Sequence, residues 1–306
     1  MLLTPIAREL FPMSTTVFFA VLLAALLHAS WNALVKIGEE RLVGVSLVAI
    51  FSGLIAAVAL LPMGLPSAAE LPWLGLSVLL HIGYCLFLSH AYNQGDFGQI
   101  YPLARGSAPL LAMVLSALLL GDYPGYGGII GACVLIMGVL LMAWRGGQQR
   151  LASKAVRAAL ITAMFTATYT LSDGAGARAG GEPVRYTLWL FACTGLAMLL
   201  VLLVHQKHNA WRQIRQYALV GATGGAMSLL AYGIVIWAMT QAPIGVVAAL
   251  RESSVLFAML LSVWLLKEPL GRMRLTAAAI ITGGVLLTRL GIRAVAIGAH
   301  LSGRMA

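Results

Sequence analysis

Long apolar runs and short polar breaks alternate along the chain. Runs of close to 20 residues with almost no charge fall at residues 16–35, 42–61, 71–92, 98–120 and 125–144. Five more follow at 155–171, 186–204, 217–239, 244–266 and 273–290. At 1.5 Å rise per residue such runs match a hydrocarbon layer of about 30 Å, and in lipid the backbone can satisfy its own N–H and C=O groups only as a helix or a closed barrel. Turn chemistry marks the breaks: Pro62-Met63-Gly64-Leu65-Pro66, Gly95-Asp96, Gly121-Asp122-Tyr123-Pro124, Gly180-Gly181-Glu182-Pro183 and Glu268-Pro269. The pattern predicts ten spanning helices.

Composition agrees with the pattern. Of 306 residues, 60% are hydrophobic and 10% charged, and mean hydropathy is +0.92, whereas about a quarter of a soluble domain is charged. So little chain is left outside the bilayer that a large extramembrane catalytic or nucleic-acid-binding domain is excluded, and the net charge of +10 belongs to loops. Lys and Arg concentrate in the loops after odd-numbered spans, which the positive-inside rule would place in the cytoplasm with both termini outside. Cys85, Cys133 and Cys193 are odd in number, lie in apolar runs and show no ligand spacing, so neither a disulfide framework nor a metal site is expected. Small residues at Ala29 and Ala33 after the first run resemble a signal-peptide cleavage region, but more membrane follows, and the run is expected to stay as the first span.

The most informative feature is internal repetition. Residues 105–141, moved by 146 positions, fall without a gap on residues 251–287 and match at fifteen of 37 positions. Arg105 meets Arg251, Ser107 meets Ser253, Met113 meets Met259, Ser116 meets Ser262, and Gly138-Val139-Leu140-Leu141 meets Gly284-Val285-Leu286-Leu287. Bulk Leu and Ala do not produce paired Arg, Ser and Gly, so the chain reads as two copies of a five-helix unit. Because five is odd, the second copy enters from the opposite side, an inverted repeat that can offer one central site to either face. The expected fold class is an all-α integral membrane protein with ten transmembrane helices in two inverted five-helix repeats. Its parts would be a tail (1–15), the first repeat (16–144), a linker (145–154), the second repeat (155–290) and a second tail (291–306).

On these features the chain resembles the drug/metabolite transporter superfamily, ten-helix EamA-like type, over about residues 16–290. The likeness rests on the ten spans, the duplication, and the acidic residue closing the fourth helix of each half (Leu119-Leu120-Gly121-Asp122 and Leu265-Leu266-Lys267-Glu268-Pro269) before a Gly-rich fifth helix. Such a resemblance implies a secondary transporter, often an exporter of amino acids or other small metabolites, with a cavity lined mainly by the first, third, fourth, sixth, eighth and ninth helices. Two departures are Asp122, where the pattern more often has Glu, and the Arg pair, which is no general mark of the family.

Arg105 and Arg251 each lie about seven residues into a span, roughly 10 Å from opposite membrane edges, so they would flank the midplane. A charge at that depth costs at least about 2.5 kcal/mol and should face a wet cavity or a partner. Guanidinium is suited to gripping carboxylate or phosphate with two bonds; the competing reading is a pairing with Glu252 or Asp173 that pins helices together. Pro102 and Pro109 bracket Arg105 and predict an irregular fourth helix, whereas Pro243 predicts ordinary initiation of the ninth. Glu252 follows Arg251 directly, so the two side chains diverge by about 100°; it is a candidate proton carrier, cation ligand or partner of Arg105. Asp173, near the expected end of the sixth span, suits the membrane interface better than the site, and His28 is a further coupling or ion-pair candidate.

Polar and aromatic positions correspond between the halves: His28, Trp31 and Asn32 against Thr166, Tyr169 and Thr170, Tyr84 against Tyr232, and Gln94 against Gln241. Trp31, Asn32, Tyr84, Tyr169, Tyr232, Ser107 and Ser253 join the two Arg as expected substrate-binding residues, although each could equally be an interhelical contact. His81 and His90 are nine apart on one helix, share no face, and are read as structural. Small-residue ridges at Gly127–Gly131 and Gly221–Gly225 predict close helix packing.

Asp173-Gly174-Ala175-Gly176-Ala177-Arg178 begins like a phosphatidyltransferase motif, but no aspartate follows Asp173 anywhere in the chain. HExxH, GxSxG and P-loop motifs are absent too, so no enzymatic activity is expected and nucleotide-driven pumping by this chain alone is excluded. A channel is a weaker alternative, since no ring of carbonyls or charges is evident. The expectation is an inner-membrane secondary carrier, functional as a monomer and without cofactor. It would move a small polar solute bearing an anionic group (an amino acid, organic acid or organophosphorus compound), with possible proton or ion coupling. Export of hydrophobic or cationic compounds is the alternative.

Overall fold

A computed structural model describes residues 13–35, 41–92, 97–143, 153–266 and 271–302. All regular structure among them is helical. The first half contributes α1 (Thr15–Val35), α2 (Arg41–Ala59), α3 (Leu71–Tyr92), α4 (Phe97–Leu120) and α5 (Gly125–Ala143). The second contributes α6 (Ser153–Gly180), α7 (Pro183–Gln206), the short α8 (Ala210–Gln216), α9 (Ala218–Gln241), α10 (Ile244–Arg251), α11 (Ser254–Leu266) and α12 (Arg272–Ser302). Eight stretches among the described residues are long and apolar enough to cross a membrane, with α10 and α11 counted as one, and α3 adds a shorter one at Leu71–Phe87. Although α6 is 28 residues long, it carries Lys154, Arg157, Asp173 and Arg178 and is less apolar. Leu61, Leu118 and Trp264 are at least three-quarters exposed on the outer surface, as lipid rather than water would require.

Two expectations about helix limits are corrected. The sixth helix does not stop at residue 171 but runs to Gly180, where Gly181 turns with φ +70° and Pro183 opens α7. That extension puts Asp173 about two turns inside the helix. The expected irregularity of the fourth helix around Pro102 and Pro109 is not found, since α4 is continuous from Phe97 to Leu120. The interruption lies instead in the ninth span, between α10 and α11.

Helix pairing follows the duplication. In the α5/α12 pair, glycine faces Leu135 at Gly284, Ile281 at Gly138 and Thr288 at Gly131. Residue numbers rise on one helix as they fall on the other, so the two run antiparallel. The contacts are also reciprocal: Ile281 is the repeat mate of Leu135, and Gly284 that of Gly138. Likewise α2 and α7 cross at Gly53 and Gly195, whose backbones touch, with Leu47 beside Leu202 at one end and Leu60 beside Leu188 at the other. Homologous helices meeting antiparallel and reciprocally define a two-fold axis across the bundle, which is what an inverted duplication produces. The same exchange places α3 on α6 and α1 on α9. Small residues at the crossings let backbones approach where lipid offers no hydrophobic drive for association.

Candidate functional site

The site forms where α1, α4, α9 and α10 meet. Arg105 on α4 and Arg251 at the end of α10 are 6% and 4% exposed, and Glu252 between them is 1% exposed. The Arg105 guanidinium donates one hydrogen bond to the Glu252 carboxylate, Nε to Oε2 at 3.1 Å, and its Nη2 lies 3.0 Å from Oε1 as an ion-pair contact. Arg251 reaches the same Oε1 only at 3.9 Å and instead lies over the Tyr232 ring, 5.6 Å from its centroid. The two Arg therefore share one carboxylate but not equally. Arg105 is closely paired with it, while Arg251 stands farther off and its charge is only partly offset.

Local sequence explains the arrangement. At Arg251-Glu252-Ser253-Ser254 the hydrogen bonds tighten to three-residue spacing: Glu252 N–H donates to Ala249 O at 2.9 Å and Ser253 N–H to Leu250 O at 3.1 Å. Serine pairs and short runs of 3₁₀ geometry interrupt helices in this way. Glu252 sits in this break and pairs with Arg105 rather than with its neighbour Arg251, as the divergence of adjacent side chains leads one to expect. In α4 the repeat mate of Glu252 is Gly106, packed against the Leu140 side chain.

Four buried polar atoms around this centre have no hydrogen-bond partner: Arg251 Nε, Ser253 Oγ, His28 Nε2 and Trp31 Nε1. His28 and Trp31 stand edge to face on α1, with centroids 5.2 Å apart, and His28 lies within the electrostatic reach of both Arg105 and Arg251. Native proteins rarely leave buried polar atoms unpaired, and each such group asks for an explanation. Here donors predominate, since the indole and guanidinium N–H groups can only donate.

The remaining expected site residues divide. Tyr169 and Tyr232 join the site, and Tyr84 meets Tyr169 edge to face at 5.5 Å. Asn32 donates from Nδ2 to His28 O at 2.7 Å, and Ser107 donates to Leu103 O at 2.7 Å, so both are bonded within their own helices. Gln94 and Glu268 lie outside the described residues, as does the side chain of His90. Asp173 departs from its expected place at the interface. It is fully buried and accepts hydrogen bonds from Ser77 Oγ and from Tyr232 Oη, both at 2.5 Å.

Sequence reasoning missed the neighbour that makes Asp173 chemically interesting. His81, expected to be structural, places Nε2 3.7 Å from Asp173 Oδ2, stacks on Tyr169 at 4.1 Å and holds Ser77 O at 2.9 Å through Nδ1. The spacing of Ser77 and His81, one helical turn, was the available sign. Two further ion pairs tie one end of the bundle. Arg178 donates to Asp122 Oδ2 at 3.2 Å and to the Met239 and Ala242 carbonyls, while Asp122 accepts the first N–H of α10, from Ile244, at 2.7 Å. Glu70, fully buried, pairs with Arg185 at 3.1 Å and caps the backbone at Ser67. Among the described residues no three His, Cys, Asp or Glu converge as a metal site would require.

Residues 153–290 match the model of the EamA-like transporter family. One solved crystal structure is similar at 19% identity, covering 91% of this chain and 97% of that one with a TM-score of 0.70, a likeness that concerns the fold. No curated protein matches the chain.

Proposed function

Taking as premise that the chain carries a domain of the EamA-like transporter family, a transporter and not an enzyme family, we propose that it is a secondary carrier for a small solute with an anionic group. A carboxylate, phosphate or phosphonate is the class meant. The observation that carries this reading is the imbalance at the centre: two buried guanidiniums for one carboxylate, with Arg251 Nε, Trp31 Nε1 and Ser253 Oγ all buried and without a hydrogen-bond partner. A small anion would neutralise Arg251 and complete those bonds. Tyr84, Tyr169 and Tyr232 supply the apolar wall for the rest of the solute.

Residues 16–144 and 155–290 act in this reading as two units that rock about the central site, and a single chain supplies the whole site, so it works as a monomer. The all-helical fold suits an inner or plasma membrane, where helices and not barrels span. Purified protein is first screened by thermal shift against anionic, zwitterionic and cationic metabolites. Carriers among the hits are then assayed for saturable, trans-stimulated uptake into proteoliposomes. Anions should stabilise the protein, and Arg105→Ala and Arg251→Ala should lose transport while still inserting in the membrane. Wild-type flux in both variants, or stabilisation by cationic or apolar compounds alone, would refute the reading, and unitary currents would mark a channel.

A further inference from the structure

Asp173 is fully buried, and among the described residues no Lys or Arg forms an ion pair with its carboxylate. From α3 it faces Ser77 and His81, from α7 Tyr186, whose hydroxyl reaches Ser77 Oγ at 3.3 Å, and from α9 Tyr232. Tyr169 stands one turn earlier on α6 itself. From α10 the charge that acts on it is Arg251, with Tyr232 touching both, while Arg105 on α4 is paired with Glu252.

Hydrogen-bond direction then fixes the possible protonation states. Ser77 O can only accept, so Nδ1 of His81 carries a hydrogen. What remains is an Nε2 facing Asp173 Oδ2. With no further proton, a lone pair would face a buried carboxylate, the least favourable state. With one proton, carried by either partner, the pair becomes imidazolium with carboxylate or imidazole with carboxylic acid. His81 is the more accessible member, its side chain 17% exposed against 0% for Asp173.

We propose that His81 and Asp173 together form a proton-binding site, coupled through Tyr232 to the charge on Arg251. Tyr232 is the physical link: its hydroxyl bonds Asp173 while the face of its ring supports the Arg251 guanidinium. An uncompensated Arg251 favours the carboxylate and so expels the proton. An anion seated on Arg251 cancels that field, and the proton is retained. By reciprocity a bound proton strengthens anion binding. Resting on the carrier reading above, this sign means that proton and anion travel in the same direction.

The test needs no solute. Infrared difference spectra of the purified full chain are recorded against pH and read at the carboxyl C=O stretch and the imidazole ring modes. A titrating band should be present in the wild type and lost in both Asp173→Asn and His81→Gln, each close in size to the original. In Arg251→Gln the proton should be held to higher pH, by about tenfold in proton affinity, with Arg251→Lys restoring the wild-type curve and Arg105→Gln moving it less. Spectra unchanged by Asp173→Asn and His81→Gln, or a curve unmoved by Arg251→Gln, would overturn the proposal. Failure of the anion-transport assay alone would leave the titration result standing, so the two readings fail separately.

Discussion

The helix α4 and the pair α10–α11 share an ungapped alignment, an Arg in the same register and a Ser two residues later, yet one is continuous and the other is broken. The two segments differ at nearby positions beside the two-fold axis, with Glu252 and Ser254 where the first half has Gly106 and Ala108. Two guanidiniums brought together there can use one carboxylate between them, and it resides in the second half as Glu252, where the first half has Gly106. The two cations occupy matching positions, and the one carboxylate between them makes them unequal, Arg105 closely paired and Arg251 less so.

The largest effect is expected at the shared acid. Glu252→Ala leaves two buried guanidiniums without their anion and should destabilise the fold by about 3–5 kcal/mol, read as a loss of thermal stability in detergent. Moving the carboxylate across the axis, with Glu252→Gly and Gly106→Glu together, should not rescue it, because a side chain at residue 106 collides with Leu140.

Next come the two Arg, which sharpen the comparison because their losses should be of different kinds. Arg105→Ala removes the close ion-pair partner of Glu252 and should cost about 3 kcal/mol of stability. Arg251→Ala, removing the weaker contact at 3.9 Å, should cost stability less while weakening solute binding by at least about tenfold. Equal stability losses would erase the asymmetry.

Smaller changes probe the reciprocal crossing of α5 and α12. Gly138→Ala and Gly284→Ala should each destabilise by about 1–3 kcal/mol, with Gly284→Ala the worse, since its new Cβ meets the Leu135 backbone more closely than that of residue 138 meets Ile281. The smallest effect is expected at Pro109→Ala, within about 1 kcal/mol, because α4 already runs through this position and the regained N–H offsets the lost ring.

Much of this was legible from residues alone. Apolar period and turn residues located the helices, and the 146-residue offset located both Arg and the glycines that later proved to be the α5/α12 contact. The break was assigned to the wrong half because proline was weighed as the helix breaker, while in α10–α11 a Ser-Ser step does it. Asp173 was misplaced because α6 carries its own polar residues, which a hydropathy reading takes for a helix end. Its partners Ser77, His81 and Tyr232 come from helices distant in sequence, so only packing reveals them.

The Asp122 carboxylate fastens the first turn of α10 to the end of α4 and, through Arg178, to the last carbonyls of α9. Under the rocking motion proposed here, α10 is thus a short lever clamped at its outer end and hinged at its inner one. Were the two units to rock as proposed, an opening on the clamped side would have to part these polar contacts first.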